Sequence, residues 1–261
     1  MLDADATVAA LSEQPEQTAL MVDFDGSLAP IVEEAEDARP LPGARAVLEA
    51  VAARFGRVAV VSGRPVSFLA DQLPVPRLVL VGLYGMERLV DGSHEVDARV
   101  EPFRAAVSEA VVELHERFGA LVEPKSGVSV TVHWRPEPGR APEIMAAADA
   151  VASRLGLEIL RTRMAVELRP PIAVNKANAV RDLIAGFATG AFAGDDTGDL
   201  LAFAELRHAR RDGRLERSVA IGVLSPEAPE ELAGAVDTVV EGPTGLVALL
   251  ARVADEVGEP V

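Results

Sequence analysis

Two aspartates stand one residue apart at the end of an apolar segment, in the sequence "ALMVDFDGSLAP" (residues 19–30). Carboxylates this close repel each other unless a proton, an arginine or a hard metal ion offsets their charge. Such a pair suits phosphoryl transfer. One aspartate can attack phosphorus and form an aspartyl-phosphate, and its neighbour can protonate the leaving oxygen and later deprotonate the attacking water.

More carboxylates follow a later apolar segment, "GAFAGDD", which ends in Asp195 and Asp196, with Asp199 three residues further on. Mg²⁺ prefers oxygen ligands, takes few protein carboxylates and leaves positions for water and a substrate phosphate. We therefore expect Mg²⁺ to be the cation that stabilises the aspartates. Two other apolar segments end in polar clusters, Ser62-Gly63-Arg64 and Gly82 to Glu87.

The elements that must position these residues are short apolar strands that alternate with amphipathic helices, both before residue 100 and after residue 172. This rhythm predicts an α/β fold with a parallel, Rossmann-like sheet, in which the ligand crevice lies beyond the carboxyl ends of the strands. Between these parts, a helix–strand–strand pattern occurs twice and predicts an inserted α+β domain. We expect a core domain over residues 1–100 and 172–261 and an inserted cap domain over residues 101–171.

Composition excludes several classes of function. The chain has 261 residues, a net charge of −16 and no cysteine, which argues against nucleic-acid or anionic-membrane partners and excludes thiolate metal sites. The acidic N-terminus and the absence of a 20-residue apolar run lead us to expect a cytoplasmic protein. The sequence does not indicate an oligomeric state.

Four segments together resemble the motifs of haloacid dehalogenase-like phosphatases: "DFDGSLAP", "VVSGRP", Lys176 at the start of a helix, and "GDDTGD". The resemblance narrows to trehalose-6-phosphate phosphatases through "GLYGMER", "VEPKSGVSVTVHWR", "VELRPPIAVNKANAV" and "GDDTGDLLAF". It extends from about residue 18 to 250. It implies a phosphoric monoester hydrolase of trehalose biosynthesis, with a small phosphosugar as substrate and a cap that closes over the sugar.

The resemblance also implies a role for each matching residue. Asp23 would be the nucleophile and Asp25 the general acid/base, while Ser62 would bind the phosphoryl group and Lys176 would neutralise its charge. Gly63 and Arg64, in the same motif as Ser62, are expected to contact the substrate. Mg²⁺ would be held by Asp23, by the backbone carbonyl of Asp25, and by Asp195, with Asp196 and Asp199 nearby.

Some positions depart from the family pattern, and two other functions stay open. Ser27, Ala177, Gly198 and Leu200 replace the usual threonine, glycine, threonine and glutamate. A phosphosugar mutase of the same superfamily is one alternative, and a non-catalytic sugar-phosphate-binding relative is the other. A mutase would need a bisphosphate activator, and a non-catalytic relative would bind without releasing phosphate.

The insert contains the alternating segment "GVSVTVHWR", whose polar residues share one face because strand side chains alternate. We expect most of this polar face to be solvated and the apolar face to pack on two helices. The family resemblance assigns sugar hydroxyls to Glu123, Lys125 and Glu167, and His133 is interpreted as a residue of the sheet face. Lys125 and Lys176 are the only lysines among 25 basic residues, and both occupy positions that the resemblance marks as functional.

Overall fold

The computed structural model describes residues 2–32, 35–162 and 164–258. Its strands, in chain order, are β1 Thr18–Val22, β2 Arg57–Val61, β3 Leu78–Gly82, β4 Glu87–Val90, β5 Ser93–Val96, β6 Val122–Lys125, β7 Ser129–His133, β8 Glu158–Arg161, β9 Ala165–Arg169, β10 Thr189–Gly194, β11 Arg217–Leu224 and β12 Thr238–Glu241. Its α-helices are α1 Ala4–Ser12, α2 Ala44–Ala52, α3 Val66–Gln72, α4 Arg104–Phe118, α5 Ala141–Leu155, α6 Lys176–Leu183, α7 Thr197–Arg211 and α8 Gly242–Glu256. Among the described residues, none of these helices is both long enough and apolar enough to cross a bilayer.

The chain divides into two compact units. One, here called the core unit, comprises Met1–Ile31, Ala38–Glu95 and Val174–Val261. The other, here called the insert, comprises Val32–Asp37 and Val96–Ala173.

The core unit contains an eight-stranded sheet in the order β12-β11-β10-β1-β2-β3-β4-β5. The strands from β12 to β3 run parallel to their neighbours, with β1 in the centre between β2 and β10. All five residues of β1 are buried, as expected for a parallel strand with helices on both faces. This topology is the predicted α/β architecture.

The edge of the core sheet differs from the sequence prediction, which had no further strand directly after β3. Strand β4 pairs antiparallel with β3, and β5 lies beside β4, so the sheet is mixed. Asp91 and Gly92 connect β4 to β5 with φ of 50° and 79°. Such a left-handed Asp-Gly pair is the usual connection of a two-residue hairpin, and "VDG" is its signal in the sequence.

The insert contains a four-stranded antiparallel sheet in the order β6-β7-β9-β8, with α4 and α5 packed on one face. Its core joins the apolar side chains of β7 and β9 to those of the two helices, including Val130, Trp134, Leu168, Leu114 and Val151. The helix–strand–strand pattern read from the sequence is therefore present twice.

Candidate active site

The loop after β1 carries the two aspartates in different environments. Asp23 follows the strand directly, donates its backbone N–H to the carbonyl oxygen of Ala193 in β10 at 2.9 Å, and is buried. The side chain of Asp25 is 36% exposed. Between the strand and the following turn, Gly26 adopts φ +78°, and a Cβ atom there would lie 2.1 Å from Oδ2 of Asp195. Only glycine permits the loops after β1 and β10 to approach this closely.

Lys176 forms ion pairs with the loop after β1 and with the first turn of α7. It is the first residue of α6, and its Nζ lies 2.9 Å from Oδ1 of Asp23 and 2.6 Å from Oδ1 of Asp199. A third carboxylate oxygen, Oδ1 of Asp196, is 3.8 Å away. Burial alone would lower the pKa of Lys176, but these carboxylates raise it well above its ordinary value. The side chain therefore stays an ammonium ion inside the protein.

Three buried carboxylates lie close together beside the single ammonium group of Lys176. Asp23, Asp195 and Asp199 each offer an oxygen within 4.8 Å of the others, and all three are buried. Burial, followed by the neighbouring aspartates, raises the pKa of Asp195 to about 8. Burial likewise raises the pKa of Asp23 to about 8, although Lys176 opposes the change. A hard cation would stabilise the ionised form of such buried, clustered carboxylates.

Asp199 has both oxygens engaged by the protein. Oδ1 accepts a hydrogen bond from Lys176, while Oδ2 accepts from the backbone N–H groups of Asp195 and Asp196, each at 2.9 Å. Asp196 caps α7 by accepting from the N–H of Asp199, which completes a reciprocal capping box. A Cβ atom at Gly194 would lie 2.3 Å from Asp199, so glycine is required there. Asp199 therefore fixes the loop that carries Asp195.

The loop after β2 brings Arg64 to Asp25. Nε and Nη2 of Arg64 donate to the two carboxylate oxygens of Asp25, each at 2.8 Å. The guanidinium group also lies over the ring of Phe68, 4.7 Å from its centroid. Ser62, which is buried, accepts a hydrogen bond from the N–H of Arg64 through Oγ. The structure thus shows the Arg64–Asp25 pair that the sequence analysis had not anticipated.

The segment Leu83–Glu87 holds the loop after β2 from the other side. The N–H groups of Leu83 and Tyr84 donate to the carbonyls of Arg64 and Ser62, both at 3.0 Å. Leu83 and Tyr84 are both left-handed, with φ of 48° and 60°, a conformation that non-glycine residues rarely adopt. Glu87 is buried and accepts from the N–H of Val66 at 2.9 Å. The sequence analysis did not predict these hydrogen bonds, because it used "GLYGMER" only as a family motif.

The predicted sugar-binding residues of the insert lie on one face of its sheet. Lys125 and Glu167 are both buried and form an ion pair, with Nζ 3.2 Å from Oε2. Glu123 is half-buried and lies 2.8 Å from Nε2 of His133. His133, interpreted from the sequence as a residue of the sheet face, is thus the partner of a predicted sugar-binding carboxylate.

Several residues on the polar face of the insert sheet are buried, whereas we expected most of this face to be solvated. Ser129 is 0% exposed, Thr131 4% and Glu167 2%. Alternation correctly predicted which side chains share the face, but it carries no information about whether that face meets solvent. The expectation was therefore wrong for Ser129 and Thr131.

Outside this polar face, Met21 and Phe24 are fully buried in the core unit. His94, His115 and His208 are exposed.

Comparison with known proteins gives the same family as the motifs. A family model described as trehalose-phosphatase matches residues 21–231. The chain is 31% identical over 209 residues to the trehalose-phosphate phosphatase of Mycobacterium leprae, a match covering 74% of this chain and 48% of that protein. The chain thus spans about half the length of the curated trehalose-phosphate phosphatases that it matches.

Solved structures show the same fold at low sequence identity. The C-terminal domain of C. albicans trehalose-6-phosphate phosphatase superposes with a TM-score of 0.77 at 18% identity, covering 97% of each chain. A haloacid dehalogenase-like hydrolase from Bacteroides thetaiotaomicron gives a TM-score of 0.63 at 16% identity, covering 90% of this chain and 99% of that one. The fold is therefore haloacid dehalogenase-like. Since the family match covers most of its length, the chain belongs to the trehalose-phosphatase family.

Proposed function

We propose that the chain is a Mg²⁺-dependent phosphatase that hydrolyses trehalose 6-phosphate, or a closely related phosphorylated disaccharide, through an aspartyl-phosphate on Asp23. The observation that carries this proposal is the buried position of Lys176 between Asp23 and Asp199. Phosphoryl transfer depends mainly on positioning and on stabilising negative charge, and this cluster does both. Family membership supports the choice of substrate.

The donor set fits Mg²⁺. Three buried carboxylates converge, two of them with pKa values raised to about 8 in the absence of a second cation. Asp23, Asp195 and the backbone carbonyl of Asp25 would hold the ion, with Asp196 and Asp199 acting nearby through water or through the loop. When bound, Mg²⁺ would supply positive charge to the phosphoryl oxygens and keep Asp23 ionised.

In the first step, a carboxylate oxygen of Asp23 forms a bond to phosphorus, and the bond from phosphorus to the sugar oxygen breaks. Asp25, as the general acid, donates a proton to that leaving oxygen. Ser62 and Gly63 bind the phosphoryl oxygens, and Lys176 offsets the negative charge around the nucleophile. In the second step, water attacks phosphorus, its proton passes to Asp25, and the bond to Asp23 breaks to release phosphate.

Arg64 has a positioning role toward Asp25 in this scheme. Both oxygens of Asp25 accept hydrogen bonds from the guanidinium, which keeps the carboxylate turned toward Arg64. We propose that the substrate phosphate draws Arg64 toward itself and so releases Asp25 to face the leaving oxygen. This accounts for the predicted contact of Arg64 with substrate.

The sugar would be recognised by the insert through Glu123, Lys125 and Glu167. Carboxylates accept hydrogen bonds from sugar hydroxyls, and an ammonium group donates to them. The buried Lys125–Glu167 pair holds both groups in fixed positions. A fixed pair costs less side-chain entropy when a ligand binds than two mobile side chains would.

A phosphate-release assay tests the proposed function. Purified protein with Mg²⁺ is mixed with trehalose 6-phosphate, sucrose 6-phosphate, glucose 6-phosphate or p-nitrophenyl phosphate, and kcat/KM is measured for each. We expect trehalose 6-phosphate to have the highest kcat/KM. Isomerised sugar phosphate formed only with a bisphosphate activator would identify a mutase, and binding without release would identify a non-catalytic relative; either result contradicts the proposal.

A further inference from the structure

Three oxygen atoms on the polar face of the insert sheet are buried without a hydrogen-bond partner among the described residues. They are Oγ of Ser129, Oγ1 of Thr131 and Oε1 of Glu167. The three side chains are 0%, 4% and 2% exposed. A buried polar atom without a partner is unfavourable and uncommon in folded proteins, so three on one face are an unusual arrangement.

Strand register places these residues in a regular polar grid. Thr131 in β7 stands directly opposite Glu123 in β6 and Glu167 in β9. Ser129, two residues earlier on the same face, stands opposite Lys125. Neighbouring strands are ~4.8 Å apart, and same-face residues along one strand are ~6.7 Å apart. One row therefore reads carboxylate–hydroxyl–carboxylate, and the next contains an ammonium group and a hydroxyl.

We infer that Ser129 and Thr131 bind the hydroxyl groups of the sugar, alongside the ionic residues that flank them. A sugar hydroxyl between Thr131 and Glu167 donates to Oε1 of Glu167 and accepts from Oγ1 of Thr131. A second one near Ser129 accepts from Lys125 and exchanges a hydrogen bond with the serine. Because hydroxyls both donate and accept, such a ligand satisfies every unpartnered oxygen at once.

The grid suits a ligand rich in hydroxyl groups, such as a hexopyranose ring. An apolar ligand would leave the buried oxygens unsatisfied. The oxygens are closed to solvent in this structure, so the side chains over them must move for a sugar hydroxyl to reach them. The inference rests on the proposed function, since it concerns the sugar portion of that substrate.

The test uses Thr131→Val and Ser129→Ala, which remove the hydroxyl with little change in volume. Removing a hydroxyl that is hydrogen-bonded within the protein lowers the stability of the protein. Removing a buried hydroxyl without a partner leaves the stability unchanged or raises it. We therefore expect Tm to be unchanged or raised in both variants. Each should lower kcat/KM for trehalose 6-phosphate about five- to tenfold, the loss of one hydrogen bond, and alter kcat/KM for p-nitrophenyl phosphate less than about twofold.

Thr162→Val is the matched control in the same insert. Its Oγ1 already donates to the carbonyl of Ala165 at 3.1 Å, so this hydroxyl is a satisfied structural one. We expect this variant to lower Tm and to leave the ratio of the two kcat/KM values unchanged. If Thr131→Val and Ser129→Ala behave like this control, or change both substrates equally, the inference is wrong.

A binding measurement separates this inference from the proposed function. Isothermal titration of trehalose 6-phosphate into Asp23→Asn protein, with and without Thr131→Val, reports affinity without turnover. An affinity about five- to tenfold weaker in the double variant supports the subsite even if the wild type proves unable to release phosphate. Equal affinities, or no binding by either protein, overturn it.

Discussion

Replacing Lys176 with methionine removes a buried charge and keeps a side chain of similar length. The ammonium group lies within 2.9 Å of Asp23 and 2.6 Å of Asp199, and the side chain is 3% exposed. Methionine would leave these two carboxylates, and the adjacent Asp195, in a buried site without a cation. Removing one partner of a buried ion pair costs about 3–5 kcal/mol. For a chain of this size, at roughly 2–4 °C per kcal/mol, Tm should fall by about 6–20 °C.

The pH dependence of this loss has a defined sign. Without Lys176 the aspartates avoid the cost of burial by taking up protons, which is easier at low pH. We therefore expect the difference in Tm between wild type and Lys176→Met to be larger at pH 7.5 than at pH 5. The measurement is thermal unfolding in EDTA at both pH values, so that metal binding does not compensate for the missing ammonium group.

Lys176→Arg separates charge from shape. Guanidinium is planar and wider than ammonium, so it keeps the positive charge but crowds a site in which three carboxylates already converge. Overpacking should cost about 1–3 kcal/mol, less than the methionine variant loses. Because the cation is no longer placed between the nucleophile and the phosphoryl group, kcat should fall at least about 100-fold.

Arg181→Met, on the same helix, is the matched control. Arg181 is 52% exposed, and its partner Glu205 retains a second arginine, Arg214, at 3.0 Å. We expect a loss under about 1 kcal/mol and kcat within about twofold of wild type. The account of Lys176 is refuted if Lys176→Met loses no more stability than this control, or if Lys176→Arg keeps the wild-type kcat.

Three further predictions concern the backbone, protons and metal of the site. Gly26→Ala, which would place Cβ 2.1 Å from Asp195 at φ +78°, should lower kcat for trehalose 6-phosphate and p-nitrophenyl phosphate alike; wild-type rates would contradict the close approach of these loops. In EDTA, Tm should fall as pH rises from 5.5 to 8.5. Folding raises the pKa of Asp23 and Asp195 from 3.8 to about 8, so their contribution to stability is complete below the unfolded value and is lost as pH passes the folded one. Asp23→Asn should flatten that slope, and an unchanged slope would argue against the raised pKa of Asp23. Chelation should abolish phosphate release and Mg²⁺ should restore it, whereas Ca²⁺, with longer bonds and more ligands, should restore little; full activity in EDTA would exclude the metal.

The sequence was sufficient for features that local patterns encode. The apolar run before Asp23 encodes a strand, and Asp196 and Asp199 encode the start of a helix, each through residues that are neighbours in the chain. The meeting of both segments at one sheet edge then follows from the parallel arrangement of the strands. The hairpin after β4 was also encoded, in Asp91-Gly92, but was not recognised. These elements depend on neighbours in the chain, for which periodicity and turn chemistry carry the information.

Pairings between distant segments were not predictable from the residues. Arg64 lies 39 residues from Asp25, and nothing in either motif specifies the two hydrogen bonds that join them. The burial of Ser129 and Thr131 is likewise a tertiary property, because alternation in β7 defines a face but not its surroundings. The role of Gly26 also depends on a tertiary contact, since this glycine leaves room for Asp195 from the loop after β10.

Trapping of phosphate on Asp23 tests the central claim most directly. Wild-type protein with Mg²⁺ is mixed with trehalose 6-phosphate labelled in its phosphoryl group, quenched in acid within one turnover, and digested for mass spectrometry. An acyl-phosphate is expected on the peptide that contains Asp23 and on no other, and Asp23→Asn should carry no label and release no phosphate while still binding substrate. Wild-type kcat in Asp23→Asn, or label on a different residue, would contradict the assignment of Asp23 as the nucleophile.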